Sequence, residues 1–281
     1  MPQARKWSSG PESLGLALAP HRYSAALGRG LAILTCFNSK TPVLSLTDLS
    51  AKLEMSMSTT YRYTITLVAL GYLEHGKSRK FKLGPRVTDL GMSFLNSLGL
   101  RTTALPYLEE LRAKTRCTAS MAMLDKADIL YVARVRSYQT GQHQVDLGLR
   151  PGSRLPAYCT AMGKTLLAYL PKEEQRKTMK MMKMSKRTSS TITTKTVLRI
   201  ELERIKERGY AVNDDELESG LHAVAVPVFG GSEKDTLAAI SISANRSRIS
   251  HEEIVLELRR HLLTAARRIS AALDSFEDSI V

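Results

Sequence analysis

Five residues in one short stretch carry side chains that can read a nucleic acid. Ser58, Thr59, Tyr61, Arg62 and Thr66 lie within MSMSTTYRYTITLVAL. Thr59, Arg62 and Thr66 are spaced three and four apart, so a helix puts them on one face, with Ser58 at its start. Short hydroxyls and a single guanidinium can approach a major groove closely and donate to phosphates and base edges. A second set follows in YLEHGKSRKFKL, where Lys77, Arg79 and Lys80 sit in and beside the turn between two short strand-like runs. Such a basic hairpin can reach the adjoining phosphate backbone or minor groove.

These side chains need a rigid mount. Leu27, Leu31, Leu34 and Phe37 recur at helical spacing and predict a helix with that face in the core, and Pro42 then interrupts the chain. Ser45, with Asp48 three residues on, marks a helix start, and Leu46, Leu49 and Leu53 supply the buried face. The turn Glu54–Met57 leads to a second helix over 58–70, closed by Gly71. That helix is poor in strong helix formers, so packing through Thr60, Tyr63, Thr64 and Leu67 must hold it. Helix, helix-turn-helix and charged hairpin together make a winged helix. A winged helix used only for protein contacts has the same pattern.

Charge separates these two readings. The chain has 281 residues and a formal net charge of +14. From 21 to 86 there are ten Lys/Arg against three Asp/Glu, whereas 101 to 281 holds 29 against 22. Both segments carry +7, but the first is nearly three times as basic per residue, which points to a polyanionic partner. At 43% hydrophobic and 24% charged residues there is ample material for a core, which argues against global disorder. No apolar stretch approaches the roughly 18 residues of a membrane helix. Residues 1–22 read as a flexible tail rather than a signal peptide. Three scattered cysteines offer neither a disulfide framework nor a zinc site, so the expected compartment is the cytoplasm, with no metal or cofactor. A second basic run, KEEQRKTMKMMKMSKR at 172–187, reads as an amphipathic, solvated helix.

Beyond Thr118 strands and helices mix. CTASMAML, ILYVARV, AVAVPVF and LAAISISA are β-rich, and helices are expected over TAMGKTLLAYL, VLRIELERIKERG and HEEIVLELRRHLLTAARRISAAL, the last opened by Ser250 and Glu253. This grouping argues for an α+β fold with an antiparallel sheet. A helix beginning near Thr160 aims the amides of Ala161, Met162 and Gly163 at whatever lies before it, an arrangement that suits a carboxylate. Ser241 and Ser243 share one face of a strand, which can be solvent or a ligand. Leu155, Tyr158 and Met162 can wall an aromatic or longer acid, and core packing accounts for them equally well.

Three other clusters are decoys. Gly163-Lys164-Thr165 ends like a phosphate-binding loop, but Tyr158 occupies the position of the first glycine. Cys159 with His143 or His222 lacks the order of nucleophile, base and orienter. Asp214, Asp215, Glu216 and Glu218 lack metal-ligand spacing and read as solvated acids, and His251 and His261 as bystanders on a charged helix.

From about Leu27 to Leu273 the sequence resembles the IclR transcriptional regulators. The resemblance rests on LGRGLAIL, LTDLSAKLEMSMSTTYRYTITLVALGYLE, FKLGPRVTDLG, ILYVARV, GSRLPAYCTAMGKTLLAYLP, LERIKERGYAVNDDELESGLHAVAVPV and AAISISAN, in the family's order. LPAYCTAMGKTLL and VNDDELESGL look most like the branch that regulates aromatic-acid breakdown in the protocatechuate and β-ketoadipate pathways. The resemblance implies a winged helix-turn-helix over 23–86, a linker helix over 87–103 and a GAF-like effector domain over 104–275. It also implies duplex operator DNA, a small organic-acid effector and a homodimer or homotetramer as partners. Ligand contact is carried onto the 160s turn, Ser241, Ser243, Asn213 and Ala223. Asn213 stands where many relatives have Asp, and Ala223 where Cys or Ser is usual. An acid-converting enzyme would need an organised nucleophile or acid–base pair, which the sequence does not offer, and a non-DNA adaptor is the other alternative.

Overall fold

The computed structural model describes residues 23–38, 40–97, 99–137, 147–230, 235–250 and 252–277. The tail over 1–22, His143 and His251 fall outside these. The chain divides into two compact units, 1–94 and 95–281.

The first unit opens with α1 (Ala25–Thr35), capped by the Ser24 hydroxyl. Its buried face is Ala32 and Ile33, with Phe37 beyond it, whereas Leu27 and Leu31 stand exposed. The expected Leu27–Leu31 face is therefore wrong. The helix is apolar on more than one side, and β-branched Ile33 fills the core instead. Strand β1 (Val43–Ser45) follows Pro42, where the sequence pattern suggests no element. Ser45 and Asp48 form a full capping box at the start of α2 (Leu46–Leu53). The Ser45 hydrogen bonds hold the Asp48 carboxyl below its usual range. Leu49 and Leu53 are buried, and Glu54 turns the chain in a left-handed conformation.

Helix α3 (Met57–Ala69) starts one residue earlier than expected because Ser56, accepting from the Thr59 amide, is its cap. Thr60 and Thr64 are fully buried, and each hydroxyl donates to the carbonyl four residues back. This local bond lets a threonine-rich helix enter an apolar core without orphaned hydroxyls. Strands β2 (Leu73–His75) and β3 (Lys80–Leu83) form the hairpin, and β1 joins them in an antiparallel sheet of order β1-β3-β2. Phe81 anchors the hairpin to Ile33, Leu49 and Leu73. Helix α4 (Arg86–Ser97) follows, and the division between the units falls within it, after Phe94.

The second unit begins with α5 (Leu100–Thr115) and the long hairpin β4 (Thr118–Asp125) and β5 (Asp128–Val135). Then come β6 (Arg154–Pro156), α6 (Ala161–Tyr169), α7 (Lys172–Met181), α8 (Lys195–Arg208), β7 (Ala211–Asp214), β8 (Leu221–Gly230), β9 (Asp235–Asn245) and α9 (Arg259–Glu277). The six strands are antiparallel, in the order β6-β5-β4-β9-β8-β7. This is the expected α+β sheet with two short edge strands added. One face packs on α5 and α9 through Leu108, Leu111, Val224, Val226, Ile240, Ile242 and Leu262. The other packs on α6 and α8 through Tyr131, Leu166, Leu167, Leu198, Ala223, Ala225 and Ala239.

The basic run at 172–187 is helical only to Met181. Met179 and Met182 are buried, so the methionines anchor the segment while its lysines face solvent. The C-terminal helix is capped as expected, by the Ser250 hydroxyl accepting from the Glu253 amide, but its first turns over Glu253–Leu258 are π-helical. Among the described residues no helix is long and apolar enough to cross a membrane, and no His/Cys/Asp/Glu group can hold a metal.

Candidate functional site

In the first unit α3 is two-sided. Thr60, Thr64 and Leu67 are buried, and Ser58, Tyr61, Arg62 and Thr66 are exposed on the opposite side, with Thr59 half-buried. Three of these hydroxyls already have partners, Ser58 Oγ lying 3.3 Å from Ser56 Oγ. The Ser56 hydroxyl donates to Thr59 Oγ1 at 2.8 Å, and Thr66 Oγ1 donates to the Arg62 carbonyl at 2.8 Å. Arg62 is therefore the long, charged donor of the face. Beside it Lys77, Arg79 and Lys80 are exposed at the hairpin tip, where Ser78 and Arg79 both take left-handed conformations. Lys82 is paired with Glu74 at 2.7 Å, and Arg86 donates to the Leu70 carbonyl at the end of α3. These two cations are thus structural.

In the second unit the turn Ala157–Cys159 feeds α6, and Thr160 caps it by accepting from the Gly163 amide at 3.1 Å. The expectation of three open amides is corrected here, because the helix uses the Gly163 amide for its own cap. Gly163 is required at this position, since a Cβ there would lie 2.3 Å from the Ala157 carbonyl oxygen and 2.4 Å from the Ala157 Cα. Tyr158 is 1% exposed, and its hydroxyl donates to the Ser185 carbonyl at 2.7 Å and accepts from the Ser185 amide at 3.1 Å. Met162 and Ala161 are buried, and Leu155 is half-buried. Asn213 Nδ2 donates to the Cys159 carbonyl at 2.6 Å, and its Oδ1 accepts from the Glu216 amide at 3.2 Å. An aspartate could not make the first of these bonds, so Asn213 locks the 160s turn to β7. Sheet register places Asn213 opposite Ala223, Ala223 opposite Ser243 and Ser243 opposite Thr118. Ser241 is buried, in the next row of the same face.

The decoys resolve physically. Lys164 is buried, and its ammonium is bonded to the Glu216 carboxylate, not aimed at a phosphate site. Glu216 is therefore not the solvated acid expected. Asp214 and Asp215 hold Arg246 at 3.0 and 2.8 Å. Burial pushes the Cys159 thiol up to about 11, which suits an inert cysteine rather than a nucleophile. The signal for the buried pair was a lysine in the otherwise apolar run TAMGKTLLAYL, a position that demands an anionic partner.

Residues 26–76 match the IclR helix-turn-helix domain, and residues 92–271 match the bacterial transcriptional regulator IclR C-terminal domain. The chain belongs to the IclR family. It is 33% identical over 245 residues to the Pca regulon regulatory protein of Pseudomonas putida, covering 87% of this chain and 82% of that protein. A transcriptional regulator structure from Rhodococcus sp. RHA1 superposes with a TM-score of 0.77 at 36% identity, over 90% of this chain and all of that one. An IclR homolog from Microbacterium hydrocarbonoxydans, solved with 4-hydroxybenzoate, does so with a TM-score of 0.74 at 25% identity, over 89% and 99%. The protein is accordingly a ligand-responsive, DNA-binding transcriptional regulator.

Within this IclR-type reader the wing has a distinct, testable part. Replacing Lys77, Arg79 and Lys80 together by Gln is expected to flatten the dependence of operator affinity on salt, by about 0.9 in log–log slope for each phosphate no longer neutralised. A filter-binding titration across salt concentrations measures it, and an unaltered slope means that the wing does not touch phosphate.

Proposed function

We propose that this chain regulates genes of aromatic-acid breakdown, with Ser58, Thr59, Tyr61, Arg62 and Thr66 on α3 and the wing reading a palindromic operator. The observation that carries the reading is the two-sidedness of α3, whose threonine-lined buried side leaves Arg62 and its hydroxyl neighbours outward beside an exposed run of wing cations. Residues 23–86 act as the reader, 87–103 as the connector and 104–275 as the sensor. The protein works in the cytoplasm as a homodimer or homotetramer and catalyses no reaction. The effector is a small carboxylic acid held between the 160s turn and the sheet, near Leu155, Tyr158, Thr160, Ala161, Met162, Gly163, Asn213, Ala223, Ser241 and Ser243. Support for an aromatic acid comes from the 4-hydroxybenzoate bound to the Microbacterium homolog and from the similarity to the Pca regulon protein. The acid shifts operator affinity only through its difference in affinity for the two states of the protein.

The full-length chain is expected to retain DNA from upstream of its own gene at physiological salt, and its affinity is expected to change on adding 4-hydroxybenzoate or protocatechuate. At 100 times its dissociation constant the acid also stabilises the protein by about 2.7 kcal/mol. No retention with or without either acid defeats the operator reading. Turnover of either acid by the purified protein would favour an enzyme instead.

A further inference from the structure

The sheet face under α6 carries a cation that neither the sequence pattern nor the 160s turn points to. Arg134 on β5 stands opposite Ser120 on β4, Ser120 opposite Ser241 on β9, and Ser241 opposite Ala225 on β8. Alternation fixes the face. Ala119, Met121, Ala133, Val135, Ile240 and Ile242 all point into the α5–α9 core, so Arg134, Ser120 and Ser241 point the other way, towards α6. The guanidinium is drawn over the sheet rather than out to solvent. Arg134 Nη1 donates to Ser120 Oγ at 3.2 Å, and its Cζ lies 6.0 Å from the centroid of the buried Tyr131 ring. Ser120 and Ser241 are 1% and 4% exposed.

We propose that Arg134, positioned by Ser120, recognises the carboxylate of the small-acid effector, with the Ser241 hydroxyl as the donor on its far side. This rests on the reading of the second unit as an acid sensor. Ser120 and Ser241 lie one strand spacing apart, about 4.8 Å. Arginine's planar fork matches a carboxylate bidentately, and a charge-assisted bond is about twice as strong as a neutral one. Beside the serines the same face carries only the small side chains of Ala223 and Ala225, and Tyr131 is its aromatic neighbour.

The test is calorimetric titration of the full-length protein with 4-hydroxybenzoate and with its uncharged counterpart, 4-hydroxybenzamide. The native protein is expected to prefer the acid by about 10- to 100-fold. Arg134→Gln is expected to abolish that preference, Arg134→Lys to restore part of it and Ser120→Ala to reduce it. If native protein binds neither probe, the aromatic-acid reading falls and the inference with it. If it binds the acid and Arg134→Gln keeps the full preference, only the inference falls. Equal weakening of acid and amide in Arg134→Gln would mark the residue as structural and overturn its role as well. Should Arg134→Gln fail to fold, the preference shown by Arg134→Lys and Ser120→Ala decides, and a native ratio in both refutes the assignment.

Discussion

Lys164→Met is expected to destabilise the second unit by about 3–5 kcal/mol, the penalty for stranding a buried charge. Lys164 and Glu216 are both buried and form an ion pair, and the second carboxylate oxygen, Oε2, has no hydrogen-bond partner among the described residues. Removing the lysine leaves a carboxylate in a dry site with nothing to neutralise it. Replacing both members, as Lys164→Met with Glu216→Leu, is expected to recover most of the loss, because the desolvation cost then disappears along with the attraction. Urea denaturation midpoints of the full-length chain measure both. A loss below about 1 kcal/mol in the single variant would place the pair in solvent-like surroundings.

The pH dependence of the same variant has a definite sign. Burial pushes the Glu216 carboxyl above the usual carboxylate range even with Lys164 beside it, and without that lysine it rises further. A carboxyl with a raised folded-state value takes up a proton on folding. Its contribution to stability is complete below the unfolded value, about 4.3, and is lost as pH rises through the folded one. The deficit of Lys164→Met is therefore expected to shrink as pH falls from 7 towards 5. Adding Glu216→Gln should remove that trend.

Local pairings were legible in the sequence, and distant ones were not. The Ser45–Asp48 capping box, the buried Thr60–Thr64–Leu67 side of α3 and the shared face of the β9 serines follow from spacings of two to four residues, which the chain itself encodes. The exposed Leu27 and Leu31 show the limit of that method, since a helix apolar on several sides does not say which side the core will take. Strands β6 and β7 escaped because three or four residues containing Pro156, or Asn213 and Asp214, have no β signature of their own and form only by pairing with β5 and β8. Glu216 escaped because its partner lies 52 residues away. Arg134 escaped for the same reason, since only the β4–β5 and β4–β9 registers bring it into line with Ser120 and Ser241.

Arg62→Ala is expected to weaken operator binding by about 1–3 kcal/mol, roughly 5- to 150-fold, while leaving the fold intact. The side chain is exposed and the Thr66 hydroxyl bonds only to its carbonyl, so truncation leaves the internal hydrogen bonding of α3 in place. The loss has a signature that separates base reading from charge. If the guanidinium meets a base edge, the variant loses discrimination at one base pair of each half-site, and the consensus and the substituted operator converge in affinity. If it meets phosphate, affinity falls uniformly across sequences and the salt slope drops by about 0.9, the behaviour expected of the wing lysines. Thr66 spends its hydroxyl proton on the Arg62 carbonyl and presents mainly its methyl group to a groove, whereas Thr59 Oγ1 accepts from Ser56 and keeps its own O–H to donate. Polar discrimination along the face then rests on Arg62, Tyr61 and the hydroxyls of Ser58 and Thr59. Operator competition with every single-base variant measures it, and an unchanged preference in Arg62→Ala would move recognition off this helix face.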